Sequence, residues 1–376
     1  MYNWDKFYPT EGRQVLSYLW LKGFSMAKLN KSFGVKLAIG ILSIGLISTT
    51  NVYAATTDPM ADTKAFLKGN VKPPKGLKIA YIVECVGQNT FCQAREAGVK
   101  KQAKKYGWTV KLYDAGFNPA TQLTQVQDAI QQKFDGYVFA PVADATGCQY
   151  FKLLKATGKP VVNINSPMCG NKDYTKGTVG FVAMQTTSFF QQHAENAFKS
   201  CTSACEVLAV GGYTGSDLFT RWETAIKAAA KKYPKVTVVV DQAGSFDPGA
   251  ALQVTQDALR AHPNISVAIS SWDDMTRGIE QGVTSSGKKP GKDVRIYSVG
   301  GTRQGLASVA KGTWNETTVL LPYEESQYGV VQLGRYFATK KTSPGFTYLA
   351  KAQVVVDGTN SIFITASNVS KFAAEY

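Results

Sequence analysis

Residues 78–110 read KIAYIVECVGQNTFCQAREAGVKKQAKKYGWTV. An apolar, β-branched run over 77–83 ends at Glu84, apolar residues then recur at helical spacing over 94–106, and a second β-branched run fills 109–113. The same alternation continues, with strands at 136–140 and 160–163 and a helix at 121–134. Strand and helix taking turns in this way specify a parallel sheet with helices on both faces, an α/β fold.

A second series follows the first. Strands are expected near 206–210, 237–241, 266–270 and 294–299, and helices near 216–232, 248–261 and 273–286. A strand at 317–321, a helix near 324–339 and a strand at 352–356 complete the pattern, so two α/β units of similar build stand in tandem. Open parallel sheets bind ligands outside the carboxyl ends of their strands. That rule directs attention to the loops 84–91, 141–147, 165–170, 211–217, 244–248, 272–274 and 300–304.

Upstream, Lys28, Lys31 and Lys36 precede the apolar run LAIGILSIGLI at 37–47, and Val52-Tyr53-Ala54 supplies small residues where a signal peptidase reads. This is the pattern of a secretory signal, too short in its apolar part for a permanent membrane anchor. The charged start follows Met26, so residues 1–25 read as an upstream extension and 1–54 as extension plus signal peptide, with the mature start near Ala55. Residues 55–76 form a polar lead-in containing Pro73-Pro74. The formal charge of the whole chain is +15, and about +11 without 1–54. The lysines are scattered on polar helix faces (Lys100, Lys101, Lys104, Lys105; Lys227, Lys231, Lys232), a solvated surface and no nucleic-acid footprint.

All six cysteines, Cys85, Cys92, Cys148, Cys169, Cys201 and Cys205, lie after the signal, and export favours disulfides. Short separations suit Cys85 with Cys92 and Cys201 with Cys205, which would leave Cys148 with Cys169; spacing alone does not fix the pairing. The chain holds two histidines, His193 and His262, without ligand spacing around them, so no zinc site or other cofactor is expected. Gly282 to Lys288 has phosphate-loop spacing, but Lys289 stands where Ser or Thr would hold magnesium, and a helix precedes it where a strand is required. Gly211-Gly212 with Gly215 is an incomplete dinucleotide fingerprint, no Gly-x-Ser-x-Gly elbow occurs, and neither histidine has a nucleophile partner. No catalytic apparatus is visible, and the expectation is a protein that is not an enzyme.

The opening segment at 78–110, then NPATQLTQVQDAIQQKFDGYVFAPVAD at 118–144 and GKPVVNIN at 158–165, resembles the periplasmic sugar-binding proteins of the ribose-binding type, which serve ABC importers. The match continues through 246–278, IYSVGGTRQG at 296–305 and LLPYEESQYG at 320–329, in the family's order. The resemblance implies two Rossmann-like lobes joined by a three-strand hinge, the type I arrangement, closing on one small ligand. With crossings near Ala183, Leu321 and Gln353, the N-terminal lobe takes 77–183 and 321–352 and the C-terminal lobe 184–320 and 353–376. It further implies a carbohydrate-like ligand, an ABC permease as partner and a periplasmic location. The expected state is a monomer. A sensory protein that presents its ligand to a chemoreceptor or kinase is the alternative. The effector core of a LacI-type repressor fails, because an export signal stands where a DNA-binding motif should be.

Carried over residue by residue, Asn89 and Phe91 match a first-loop Asn and aromatic, Phe246 a second-lobe aromatic, Asp273 follows Trp272 where the family has Asn-Asp, and Arg221 falls near a family arginine. Asn165-Ser166 replaces the Asp-Arg of ribose-type proteins and Gly300 replaces an Asp, so the resemblance implies a less charged, roomier pocket than a ribose site. Amides and carboxylates satisfy hydroxyls in pairs and aromatic rings cover sugar C–H faces. The candidate ligand-binding set is therefore Glu84, Asn89, Phe91, Asn165, Phe219, Arg221, Phe246, Trp272 and Asp273. Each has a plainer reading: Phe91 and Phe246 as core aromatics, Arg221 on a helix surface, Glu84 facing water. Asn118-Pro119 and Asp144 read as turn and helix-cap residues.

Overall fold

The computed structural model describes residues 72–87, 89–171, 174–348 and 362–376. The expected signal segment, most of the lead-in, the strand at 352–356 and the crossing near Gln353 lie outside the described residues. The first series is β1 (Lys78–Val83), α1 (Thr90–Tyr106), β2 (Thr109–Asp114), α2 (Pro119–Gln131), β3 (Gly136–Phe139), α3 (Asp144–Ala156), β4 (Val161–Ile164) and β5 (Gly180–Ala183). The second is α4 (Thr187–Phe198), β6 (Cys205–Gly211), α5 (Asp217–Lys232), β7 (Val236–Ala243), α6 (Pro248–Ala261), β8 (Ile265–Ser270), α7 (Asp273–Ser285), β9 (Arg295–Gly300), α8 (Arg303–Lys311) and β10 (Glu316–Val319). The chain then runs through α9 (Pro322–Thr339), β11 (Ser343–Tyr348) and β12 (Phe363–Ile364).

Two six-stranded sheets result, ordered β11-β5-β4-β3-β1-β2 and β12-β10-β9-β8-β6-β7. Each is doubly wound, and all described pairings are parallel except β10 with β12. In both, the order reverses at the first strand of the series, β1 or β6, the place where such sheets bind ligands. Ile79 to Val83 are all buried, since a central parallel strand is covered on both faces; the edge strand β2 alternates exposed and half-buried positions. α1 begins where the Asn89 side chain accepts from Cys92 N and ends at Gly107, whose φ of 71° closes the last turn.

After β10 the chain returns from the second sheet to the first, where α9 packs on α1 so closely that a Cβ on Gly98 would lie 2.1 Å from the Tyr323 carbonyl oxygen. The three cysteine pairs are all closed as disulfides: Cys85–Cys92, Cys148–Cys169 and Cys201–Cys205. The elements α3, β5, α4, α8, β11 and β12 are not among those read from the sequence, and α1 starts four residues earlier than the helical spacing at 94 suggests. Among the described residues no helix is long and apolar enough to cross a membrane.

Candidate functional site

A cavity of about 490 Å³ opens between the carboxyl ends of the two sheets. That is the size of a small-molecule site. Its walls come from the first lobe through the loops after β1, β2, β3 and β4, and from the second through the loops after β6, β7 and β8. Five helices begin at its rim, α1, α2, α3, α5 and α7. In three of them one first-turn donor is already satisfied: Asn89 accepts from Cys92 N, Asn118 from Thr121 N and Ser216 from Phe219 N.

At the cavity floor, Glu84 follows β1 and is buried. Its Oε1 accepts from Arg95 Nη2 at 2.5 Å and from Asn165 Nδ2 at 2.8 Å, while Oε2 has no partner within the protein. Asn165 is held at φ 67° and its Oδ1 is also buried without a partner. An unpaired buried acceptor costs about 1 to 3 kcal/mol, so two of them in a cavity wall mark where a guest's donors belong. Arg95 is fully buried, with its guanidinium 5.0 Å from the centre of the Phe91 ring and Glu325 Oε1 3.7 Å from its Nη1. Burial opposes its charge, but Glu84, Tyr81 and Glu325 outweigh that and hold it protonated above the ordinary arginine range. Burial pushes the Glu325 carboxyl up to about 8 against the pull of Arg95. A third lining acceptor, Asp217 Oδ2, is buried without a partner at the start of α5, and its carboxyl is raised by burial and by Asp144.

Aromatic rings form the remaining walls. Phe91 meets Trp272 edge-on at 5.4 Å, bringing the two lobes together. Behind Trp272 lies Tyr376, stacked at 5.9 Å, with its hydroxyl donating to the Gly300 carbonyl. On the opposite side Phe117 stacks on Phe246 at 6.3 Å and meets Tyr213 at 5.4 Å. Phe117 and Phe246 both have positive φ, 58° and 53°, a conformation that costs a non-glycine residue about 1 to 2 kcal/mol. Gly212 makes room for Phe246, whose ring would stand 2.3 Å from a Cβ there.

Six of the nine candidate residues line the cavity: Glu84, Asn89, Phe91, Asn165, Phe246 and Trp272. Three do not. Phe219 is packed against Gly211 in the second lobe's core. Arg221 lies one step back, donating to Ser166 Oγ at 3.2 Å and to the Asp217 carbonyl, and burial lowers it to about 10. Asp273 is fully buried and turned toward its own sheet, accepting from Ser298 Oγ, Thr317 Oγ1, Thr302 N and Thr302 Oγ1. Burial raises its carboxyl, and those donors pull it back. Gly300, where a side chain would stand 2.6 Å from this carboxylate, and Gly305 together clear its space. Asn118 caps α2 as expected and also lines the cavity. Asp144 does not cap; its carboxylate accepts from Gly170 N. Ser166, half of the Asn165-Ser166 pair, lines the cavity, and so do Phe117, Tyr213, Gln185 and Asp217, which the sequence reading does not single out. Treating the loop after β2 as the loops after the other strands were treated would have found Phe117.

The model of the periplasmic binding protein domain matches residues 79–341. The ribose import binding protein of Bacillus subtilis (strain 168) is 25% identical over 283 residues, 75% of this chain and 87% of its own. The galactofuranose-binding protein YtfQ of Escherichia coli (strain K12) is 24% identical over 245 residues, 63% of this chain and 76% of its own. Among solved structures, a galactofuranose binding protein superposes with a TM-score of 0.70 at 20% identity, over 78% of this chain and 96% of that one. The periplasmic binding protein of the arabinose ABC transporter from Shewanella sp. ANA-3 gives 0.69 at 21% identity, over 78% and 93%. These structures share the fold, with its two doubly wound sheets. With the match running from β1 to the end of α9 and the cavity at the switch points of both sheets, the chain belongs to the periplasmic binding protein family.

Proposed function

We infer that this protein captures a sugar or sugar-like molecule in the cavity between its lobes and delivers it to an ABC permease. The observation that carries the reading is the pairing of unpartnered acceptors with rings: Glu84 Oε2, Asn165 Oδ1 and Asp217 Oδ2 beside Phe91, Phe117, Phe246 and Trp272. A polyol offers hydroxyl donors to the first group and C–H faces to the second. Contacts that cross from lobe to lobe, Phe91 with Trp272 and Phe117 with Phe246, couple occupation of the cavity to closure. Relatives named for ribose import and for galactofuranose binding support transport of a carbohydrate over sensing alone.

The reading includes an exported chain cut after Ala54, working in the periplasm as a monomer that performs no chemistry on its ligand. It also includes the lobe division at 183, 321 and 353, with Asn89, Phe91 and the other lining candidates as ligand contacts. The test is thermal unfolding of the mature chain against a panel of monosaccharides and polyols. A binder raises the melting temperature with concentration, as linkage to the folded state requires. If none does so at millimolar concentration, the ligand class is wrong.

A further inference from the structure

The cavity's charge is one-sided. Among the described residues that line it, the only ionisable carboxylates are Glu84 and Asp217, and there is no lysine, arginine or histidine. Neither of the two arginines nearby lines the cavity. Arg95 is buried behind Glu84 and the Phe91 ring and pairs with that carboxylate, and Arg221 donates to Ser166 Oγ and to the Asp217 carbonyl. Helix N-termini would ordinarily invite an anion. Here, however, Asn89, Asn118 and Ser216 each take one first-turn donor of α1, α2 and α5, Pro119 has no N–H to give, and Asp144 places a carboxylate at the start of α3. The buried lining atoms without a partner in the protein are all acceptors: Glu84 Oε2 and Asn165 Oδ1, on side chains 6% and 7% exposed, and Asp217 Oδ2. Aromatic faces add negative quadrupole to the same space, from Phe91, Phe117, Tyr213, Phe246 and Trp272.

We propose that the cavity selects a polyhydroxylated ligand that is neutral or carries an amine, and rejects sugar acids and sugar phosphates. The inference rests on the sugar-binding reading above and specifies the charge class of its guest. An ammonium in place of one hydroxyl keeps the donors that Glu84 and Asp217 need and gains their charge. A carboxylate in the same place brings acceptors to acceptors, with no cation among the described lining residues to offset the loss of water.

The experiment is calorimetric titration of the mature chain with three matched sets: D-glucose, D-glucosamine and D-glucuronate; the galacto counterparts of those three; and myo-inositol with myo-inositol phosphate. The expected result is that a neutral or amine member binds, and that its acidic partner in the same set binds at least tenfold more weakly. The variant Asp217→Asn should narrow the gap between the amine and neutral members by about threefold or more, and Glu84→Gln should do the same. Asp217 is half-buried at a helix start and its amide keeps the shape, so that variant serves even if Glu84→Gln, which removes the nearer of Arg95's two carboxylate partners, fails to fold. An acid or phosphate binding as tightly as its neutral partner overturns the inference and leaves sugar binding standing. An amine preference unchanged in Asp217→Asn also counts against it. Absence of binding by every member of all three sets overturns both readings.

Discussion

Phe117 carries an aromatic ring on backbone that favours glycine, at φ 58°, directly after Gly116. The conformation turns the ring across the cavity onto Phe246 and Tyr213, so local strain is spent on placing a wall. Phe117→Gly and Phe117→Ala should both weaken ligand binding at least tenfold. The glycine variant should be the more stable of the two by about 1 kcal/mol in denaturant unfolding, because alanine keeps the strain without the ring. Trp272 has a different place. At 4% exposed, stacked on Tyr376 and touching Phe91, it is a wall of the cavity and part of the core together. Trp272→Ala should therefore lower affinity at least tenfold and also cost about 3 to 5 kcal/mol of stability, measured by calorimetry and urea unfolding. An unchanged affinity would remove Trp272 from the site. Asp273, its neighbour, was given a ligand role by alignment with an Asn-Asp pair. Nothing in the sequence reveals that Gly300 and Gly305 open a space for its carboxylate 27 and 32 residues away, since that space exists only once α7, β9 and α8 are packed.

Among the elements, the strands β1, β3 and β4 and the helices that follow β1 and β2 were legible because period and length agree: short β-branched runs buried on both faces, then longer stretches with an apolar stripe. β5 is as short as β3 and β4 but follows β4 with no helix element between them, so the alternation does not announce it, and α8 has nine residues opened by Thr302, too few periods to read. The start of α1 was hidden for another reason. Asn89 was assigned to the ligand, yet its Oδ1 already accepts from Cys92 N, and what remains for a guest is its amide N–H₂. Asn89→Ala should thus lose about 1 kcal/mol of stability through the cap. Asn89→Asp, which keeps the cap acceptor and removes the amide donor, should spare stability and still weaken binding. The α1 and α9 pair sets a limit of another kind. Gly98→Ala would drive a methyl into the Tyr323 carbonyl and should destabilise by about 2 to 3 kcal/mol in urea unfolding. A neutral result would mean that the two helices can separate freely.

At the scale of the whole molecule, the repeated order of the two sheets explains why one family of loops faces another across a single cavity. The sequence carried that plan in its tandem alternation, and the resemblance to sugar-binding proteins added the lobes; the inward turn of Asp273 and the Tyr376 stack behind Trp272 arise from contacts distant in the chain. Stability should also respond to pH through the buried pair in the second lobe. Burial raises Glu316 from 4.5 to about 8, so the fold holds a proton that the unfolded chain releases. Its contribution is full below about pH 4.5 and is lost as pH rises through 8. Burial lowers His193 from 6.5 to about 3, so its contribution is present above 6.5 and lost as pH falls through 3. The melting temperature should accordingly fall between pH 6.5 and 8, and Glu316→Gln should make that limb shallower in scanning calorimetry without removing it, since burial also raises Glu325 and Glu375 to about 8. Calorimetric titration of the mature chain with neutral monosaccharides and polyols tests sugar capture in the cavity directly. One molecule should bind per chain, with affinity reduced at least tenfold by Phe117→Gly. Binding that ignores Phe117, or no binding by any hydroxyl-rich compound, would contradict it.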